Sequence, residues 1–188
     1  RSTLFPYTTL FRSSTDPDVI LIEPKVFLDD RGFFFESWRK EVFQQAGISA
    51  EFVQENQSKS VRNVLRGLHY QIQQPQGKLI RVLSGEILDV AVDLRRSSEF
   101  FGKWVGVVLN SADAKSLWIP PKFAHGFLVL SESAEILYKA TDTYAPRFER
   151  TIRYDDPEIG VDWGELPEPI LSPKDREAPG FKESEVFE

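Results

Sequence analysis

Short apolar runs separated by turns recur along most of this chain, and that pattern limits the folds it can adopt. The clearest pair, residues 78–83 and 86–94, meets at Ser84-Gly85, which predicts a β-hairpin. In the second run Val90 and Asp89 belong to opposite faces, as the two-residue period of a strand requires. Many strands of this length and spacing are typical of antiparallel sandwiches and barrels.

Nine such runs and one helical pattern are predicted in all. The strands are residues 19–24, 52–58, 63–71, 78–83, 86–94, 103–109, 117–121, 125–130 and 134–141. A helix is expected over residues 38–47, and the turn Asp29-Asp30-Arg31-Gly32 predicts a further hairpin within 25–36. Strands and helices do not alternate, and no glycine-rich phosphate loop is present, so dinucleotide-binding and P-loop folds are excluded.

The two ends of the chain depart from the strand pattern. Residues 1–14 carry no initiator methionine and no long apolar signal region, and we interpret them as a non-native N-terminal scar. Residues 15–188 then form a single domain, long enough to bury a substantial core. The polar, Pro-rich sequence from Asp155 onward predicts a C-terminal tail that wraps over the barrel mouth.

The composition excludes several classes of function. A net charge of −6 and a pI near 5.1 leave no general basic surface for nucleic acid, so an anionic ligand must be held by local Arg and Lys. The absence of cysteine excludes disulfides, thiolate metal sites and cysteine nucleophiles, and it fits a reducing cytoplasm. No run approaches the ~20 apolar residues of a membrane span, so no membrane partner is expected.

The two histidines, His69 and His125, are the first candidates for chemistry. Each lies in an apolar strand-like run, where a lone histidine is more often structural. Metal-binding barrels usually supply two or three histidines and a carboxylate, and this chain has no His-x-His pair, so no metal is expected. No Gly-x-Ser-x-Gly elbow is present for a serine nucleophile.

General acid–base chemistry fits the residues better. His69 is the natural base because imidazole titrates near neutral pH, and a carboxylate on its second nitrogen would fix its tautomer. Tyr138 is a candidate acid or else a half-buried strand tyrosine. Lys78 is a candidate for stabilising an enolate oxygen or else a solvated strand residue. The carboxylate candidates, among which the sequence does not choose, are Asp89, Asp93 and Asp175.

The spacing of Arg66 and His69 poses a geometric problem. Side chains three apart on a regular strand face opposite sides of the sheet. Arg66 and His69 can share a pocket only if the strand bulges or bends at Gly67, which we therefore predict.

Eight motifs spread over residues 19–188 carry a resemblance to a known family. They are Asp30-Arg31-Gly32-Phe33-Phe34-Phe35-Glu36, Gln54-Glu55-Asn56, Arg66-Gly67-Leu68-His69-Tyr70-Gln71, Gly77-Lys78-Leu79-Ile80-Arg81-Val82, Trp118-Ile119-Pro120, Phe123-Ala124-His125-Gly126-Phe127, Leu137-Tyr138-Lys139 and Lys174-Asp175-Arg176. With these motifs the chain resembles the dTDP-4-dehydrorhamnose 3,5-epimerases, metal-free enzymes of nucleotide-sugar synthesis. The resemblance implies an all-β, cupin-type jelly-roll sandwich or barrel with a few short helices. It also implies a homodimer whose N-terminal strands cross to the partner's sheet.

The resemblance assigns a role to each matching residue. It makes His69 the base, Asp175 its carboxylate partner, Tyr138 the acid and Lys78 the pocket lysine. The groups that it implies for holding the nucleotide sugar are Arg31, Glu36, Gln54, Asn56, Arg66, His125, Glu149 and Lys174. The motif Gln54-Glu55-Asn56 departs from the family by having Glu where Asp is usual. That change would slightly alter the nucleotide contact.

The implied reaction inverts C3 and C5 of dTDP-4-dehydro-6-deoxy-D-glucose, giving dTDP-4-dehydro-L-rhamnose in dTDP-L-rhamnose biosynthesis. Both carbons flank the C4 ketone, which acidifies their protons, so no metal or redox cofactor is expected. One alternative is an epimerase acting on a single carbon, or a ketoisomerase, of the same fold. Another is a non-catalytic sugar-nucleotide-binding cupin, which would lack the base, the acid or the carboxylate partner. A metal-dependent cupin oxygenase is disfavoured by the histidine count.

Overall fold

The computed structural model describes residues 8–12, 16–165 and 167–188, and it is built mainly of β-strands. The strands are β1 (Thr8–Arg12), β2 (Ile20–Pro24), β3 (Phe27–Asp29), β4 (Gly32–Phe34), β5 (Gln54–Val61), β6 (Leu65–Gln71), β7 (Lys78–Ser84), β8 (Glu86–Asp93), β9 (Trp104–Asn110), β10 (Ser116–Ile119), β11 (Phe123–Val129), β12 (Ser133–Ala140) and β13 (Glu149–Thr151). The helices are α1 (Lys40–Gln45) and α2 (Pro173–Arg176), with single 3₁₀ turns at Pro146–Phe148 and Phe181–Glu183. Within the described ranges, none of the helices has the length and hydrophobicity of a membrane span.

Two antiparallel sheets face each other across the main core. One has the strand order β1-β2-β10-β7-β12-β5 and the other β13-β6-β11-β8-β9, while β3 and β4 form a separate hairpin. The core cluster between the sheets joins Ile80 and Ile136 of the first sheet to Ile87 and Phe127 of the second. This arrangement confirms the predicted all-β sandwich with a few short helices.

The hairpin predicted for residues 78–83 and 86–94 is wrong. β7 pairs with β10 and β12, whereas β8 pairs with β9 and β11, so the chain passes from one sheet to the other at Gly85. Gly85 has a φ of +80°, and a Cβ at this position would lie 2.1 Å from the carbonyl oxygen of Ser133. A two-residue turn signal predicts a sharp reversal, but it does not say which strand becomes the partner.

The C-terminal segment forms an outer layer over the second sheet. Ile159, Trp163 and Phe187 are buried in a second core cluster together with Leu68 and Val90. This cover explains why β8 is buried on both faces despite its alternating sequence. The part of this segment near α2 lines the cavity beside His69. The expectation of a tail that wraps over the barrel mouth stays a prediction.

The N-terminal residues are described only in part. Thr8–Arg12 forms β1, which pairs antiparallel with β2 at the edge of the first sheet. The other residues of the range 1–14, interpreted as a non-native scar, lie outside the described residues. That interpretation therefore stays a prediction.

Candidate active site

A bulge in β6 brings Arg66 and His69 to the same cavity. In the pairing of β6 with β11, His69 lies opposite His125 and Arg66 lies opposite Phe127. The two β6 residues are three positions apart, whereas their partners on β11 are two positions apart, so β6 contains one extra residue. The extra residue is accommodated at Gly67, which has a φ of +136°. Both side chains line a cavity of about 650 Å³, and the predicted bulge is confirmed.

His69 is paired with a carboxylate from the tail. Its Nε2 lies 2.5 Å from Oδ1 of Asp175, and the Asp175 side chain is buried while the imidazole is about one-quarter exposed. Burial alone would raise the pKa of Asp175, but the bonds to His69 and Ser172 and the charge of Lys174 lower it below its ordinary value. The carboxylate is therefore an anion that can hold the imidazole in one orientation.

The other two carboxylate candidates are engaged elsewhere. Asp93 binds Arg95 through both of its oxygens at 2.7 and 2.8 Å. Asp89 lies 3.0 and 3.1 Å from Nε2 of His125, deep in the interior. The geometry thus separates three candidates that the sequence left open, and Asp175 is the one in contact with His69.

Lys78 lies buried close to this second histidine–aspartate pair. Burial lowers the pKa of Lys78 to about 8, although the charges of Asp89 and Glu149 oppose the shift. Burial also lowers the pKa of His125, with Asp89 opposing and Lys78 reinforcing that change. The interior therefore holds a lysine that is cationic at neutral pH but gives up its proton easily.

Tyr138 approaches from the facing sheet. It lies on β12, opposite Asn56 of β5, and its ring packs against the core between the sheets. Burial raises its pKa, partly offset by the nearby charge of Arg66 and by a hydrogen bond with Asn56. Arg66 spans the two sheets, because its Nε donates to Oγ of Ser60 on β5 at 3.2 Å. His69 and Tyr138 thus come from the two facing sheets.

Polar residues at the starts of β5 and β13 and on α2 form another part of the candidate site. Lys174 Nζ lies 2.7 Å from Oε1 of Glu149, and the hydroxyl of Tyr144 donates to Oε2 of the same carboxylate at 3.1 Å. Gln54 accepts from the backbone N–H of Tyr144 at 2.8 Å and donates to Asn56 at 3.1 Å. Four residues expected in the site therefore form one continuous hydrogen-bonded group.

Two expected substrate-binding residues lie apart from this group. Arg31 is at the exposed tip of the β3–β4 hairpin, where it pairs with Asp29. Glu36 pairs with Arg39 at 3.0 Å. None of the described contacts joins Arg31 or Glu36 to the residues around His69 within one chain.

Two residues of the candidate site, Tyr144 and Ser172, were not expected from the sequence. Tyr144 could have been noticed as an aromatic residue just before the strand that carries Glu149. Ser172, which binds Asp175, stands in the helix-starting sequence Ser172-Pro173, where a serine before a proline is a common N-cap.

Over the described parts of the chain, no group of three or more His, Cys, Asp or Glu side chains is arranged to hold a metal ion.

Comparison with known proteins places these residues in a family. The family profile described as dTDP-4-dehydrorhamnose 3,5-epimerase matches residues 14–183. The chain belongs to this family of epimerases. A curated dTDP-4-dehydrorhamnose 3,5-epimerase from Pseudomonas aeruginosa is 56% identical over 172 residues, which cover 91% of this chain and 95% of the relative.

Solved structures of epimerases share the fold. A dTDP-6-deoxy-D-glucose-3,5-epimerase from Legionella pneumophila, in complex with dTDP-4-keto-L-rhamnose, is 47% identical with a TM-score of 0.89 and 93% of each chain covered. A 3′-monoepimerase from Streptomyces bikiniensis, in complex with dTDP-quinovose, is 32% identical with a TM-score of 0.84. That match covers 90% of this chain and 87% of the other. The likeness supports the cupin-type jelly roll expected from the sequence.

Proposed function

We propose that this protein is an isomerase that converts dTDP-4-dehydro-6-deoxy-D-glucose to dTDP-4-dehydro-L-rhamnose by inverting C3 and C5, in dTDP-L-rhamnose biosynthesis. The observation that carries the proposal is that His69, paired with Asp175 of α2, and Tyr138 lie on facing sheets. Inversion needs a base on one face of a carbon and an acid on the other. Family membership and the shared fold support the same activity.

His69 is the base of this proposal. Its Nε2–H donates to the Asp175 carboxylate, which leaves Nδ1 as the acceptor for a proton from C3 or C5. The buried anion also stabilises the imidazolium that forms. The electron pair of the broken C–H bond moves into the C4 ketone and gives an enolate.

Lys78 and Tyr138 complete the step. The Lys78 ammonium, buried and cationic at neutral pH, stabilises the negative charge on the C4 oxygen. Tyr138 then donates its phenolic proton to the carbon from the opposite face while the ketone re-forms. The imidazolium then releases its proton to solvent and the Tyr138 phenolate takes one up from solvent. Both groups are reset, and the cycle consumes no external reagent.

The nucleotide part of the substrate requires cationic and polar partners. Arg66 and Lys174 line the cavity and are suited to the diphosphate. We further propose that Gln54, Asn56, Glu149 and His125 contact the substrate. Lys174 and Glu149 would have to exchange part of their mutual ion pair for contacts with the substrate.

The cysteine-free, acidic composition supports a cytoplasmic location.

A homodimer would account for the positions of Arg31 and Glu36, which lie apart from the residues around His69. The β3–β4 hairpin exposes Phe27, Leu28, Phe33 and Phe34, with Arg31 at its tip. Such a patch is costly in water and is suited to an interface. We propose that the hairpin packs on a second copy of the chain and delivers Arg31 and Glu36 to the partner's substrate.

Proton exchange with solvent tests the division of labour between base and acid. His69→Asn should abolish both epimerisation and deuterium wash-in at C3 and C5 in D₂O, by roughly 10²–10⁴-fold. Tyr138→Phe should still wash in deuterium, because His69 can remove a proton and return it to the same face, while inverting poorly. NMR of the sugar reads each carbon separately, and Tyr154→Phe, a tyrosine of the tail, is the matched control.

Two results would contradict the mechanism. Wild-type exchange in His69→Asn would remove His69 as the base. Equal loss of exchange in the two variants would remove the assignment of Tyr138 as a separate acid. If the unmodified protein inverted only C3, the alternative of an epimerase acting on a single carbon would be favoured. The likeness to the 3′-monoepimerase makes that activity the second candidate.

A further inference from the structure

Ser172 binds the carboxylate that orients His69. It is the N-cap of α2, and its Oγ accepts from the backbone N–H of Asp175 at 3.1 Å. The same hydroxyl donates its proton to Oδ2 of Asp175 at 2.8 Å. Oδ1 of Asp175 contacts His69, so both carboxylate oxygens and the backbone of this residue are held at once.

Burial makes the serine hydroxyl hard to replace. Asp175 is only 3% exposed, so water has little access to Oδ2 if the hydroxyl is removed. A buried carboxylate oxygen that loses its donor recovers that loss by rotating or shifting toward another donor. Either movement turns Oδ1 away from Nε2 and releases the imidazole, which is partly exposed and not enclosed on every side.

We propose that Ser172 is a positioning residue for the proposed epimerisation: through Asp175 it sets the direction in which His69 presents its proton-accepting nitrogen. This inference rests on the proposed function of His69 as the base. Ser172 does not contact the reacting atoms. Its contribution is the alignment of the base, where a misplacement of about 1 Å can cost up to ~10²-fold in rate.

Three substitutions separate positioning from ordinary helix capping. Ser172→Ala removes both hydrogen bonds of the hydroxyl. Ser172→Asp keeps a good N-cap acceptor for the backbone N–H but has no proton for Oδ2 and adds a like charge beside it. Ser172→Thr keeps both the acceptor and the donor.

Ser98 supplies the matched control. Its hydroxyl accepts from the backbone N–H of Phe100 at 3.0 Å and also bonds the carboxylate of Asp93. Ser98→Ala therefore removes the same two kinds of bond at a place outside the site. Thermal melts of all four variants identify any that fail to fold.

The measurements are kcat, KM and the downfield proton NMR signal of the His69–Asp175 hydrogen bond. Ser172→Ala and Ser172→Asp should lower kcat by about 10- to 100-fold with little change in KM, and they should shift or broaden that signal. Ser172→Thr and Ser98→Ala should resemble the wild type in all three. Normal kcat in Ser172→Ala, restored kcat in Ser172→Asp, or an equal loss in Ser98→Ala would each overturn the inference.

The spectroscopic arm keeps this inference distinct from the proposed function. A wild-type protein that fails to exchange protons at C3 and C5 would refute the proposed function. The His69 signal would still report, without any substrate, whether Ser172 holds the pair together. An active wild type whose Ser172→Ala variant keeps both the signal and the rate would refute only the role of Ser172.

Discussion

Lys78 shows how burial changes the chemistry of a single residue. An ordinary lysine holds its proton to a pKa near 10.5, but burial lowers the pKa of Lys78 to about 8. That difference corresponds to roughly 3 kcal/mol of free energy against the charged form. The protein thus keeps a cation in its interior at a cost in stability, a pattern that is frequent at functional sites.

Activity and stability should respond to pH in opposite directions because of Lys78. Above pH 8 the folded protein loses the Lys78 proton, so kcat/KM should fall as the cation that holds the enolate disappears. Between pH 8 and 10.5 the unfolded chain binds more protons at this residue than the folded one, so the Lys78 contribution to the free energy of unfolding should rise. Rate profiles and urea titrations over this range measure both effects.

Substitutions make the Lys78 prediction specific. Lys78→Met should abolish activity, raise stability at pH 7 and remove the rise in stability between pH 8 and 10.5. Lys59→Met, a change at an exposed lysine of β5, should leave the activity profile as in the wild type. An unchanged alkaline fall in rate in a partly active Lys78→Arg variant would show that another group titrates there.

Some residues of the candidate site could be predicted from the sequence alone, and Asp175 could not. His69, Tyr138 and Lys78 could be chosen because each has chemistry suited to a stated step. Asp175 could not be chosen from the residues alone, because it is 106 residues from His69 and nothing local to it predicts that contact. The family resemblance supplied that pairing, and the structure brings the two side chains together.

Individual strands were easier to predict than their partners. Alternation correctly predicted strands near β7 and β8, since it depends only on which face of each strand is buried. Their assignment to different sheets depends on how the whole chain is arranged, and the turn at Gly85 is compatible with both outcomes. β13 was missed because three residues, Glu149–Thr151, are too few to show a period.

The β6 bulge depends on a glycine, and this can be tested by substitution. A Cβ at Gly67 would lie 2.4 Å from Cα of Gly126, and a φ of +136° is unfavourable for any other residue. Gly67→Ala should therefore lose about 3 kcal/mol or more of stability, together with activity. Urea unfolding gives the first value and the exchange assay the second.

Gly164 provides the comparison for Gly67. It also has a positive φ, +75°, but nothing lies within 4 Å of a Cβ built there. Gly164→Ala should lose only about 1–2 kcal/mol, the cost of the backbone conformation alone. If the two variants lost the same amount, close packing at the bulge would not be the cause.

At the scale of the whole molecule, the exposed hairpin predicts assembly. Light scattering of the wild type should give twice the chain mass of 21.6 kDa. Phe33→Asp should shift the protein toward the monomer, because a charge on a 71% exposed hairpin phenylalanine opposes its burial in an interface. Val108→Asp, at a 49% exposed apolar residue of β9, should leave the dimer intact. A wild-type monomer would contradict the proposed dimer.

Among the four residues proposed for catalysis, Asp175 is the last that the ribosome makes. All described strands of both sheets, with His69, Lys78 and Tyr138, are synthesised before the carboxylate partner of His69. A break between Asp155 and Ser172 likewise removes that partner together with much of the cover over Leu68 and Val90. If the proposed pairing of His69 with Asp175 is needed for proton removal, turnover reports that the polypeptide has been made through Asp175 and packed, and an interrupted or clipped chain should be inactive instead of releasing sugars of the wrong stereochemistry.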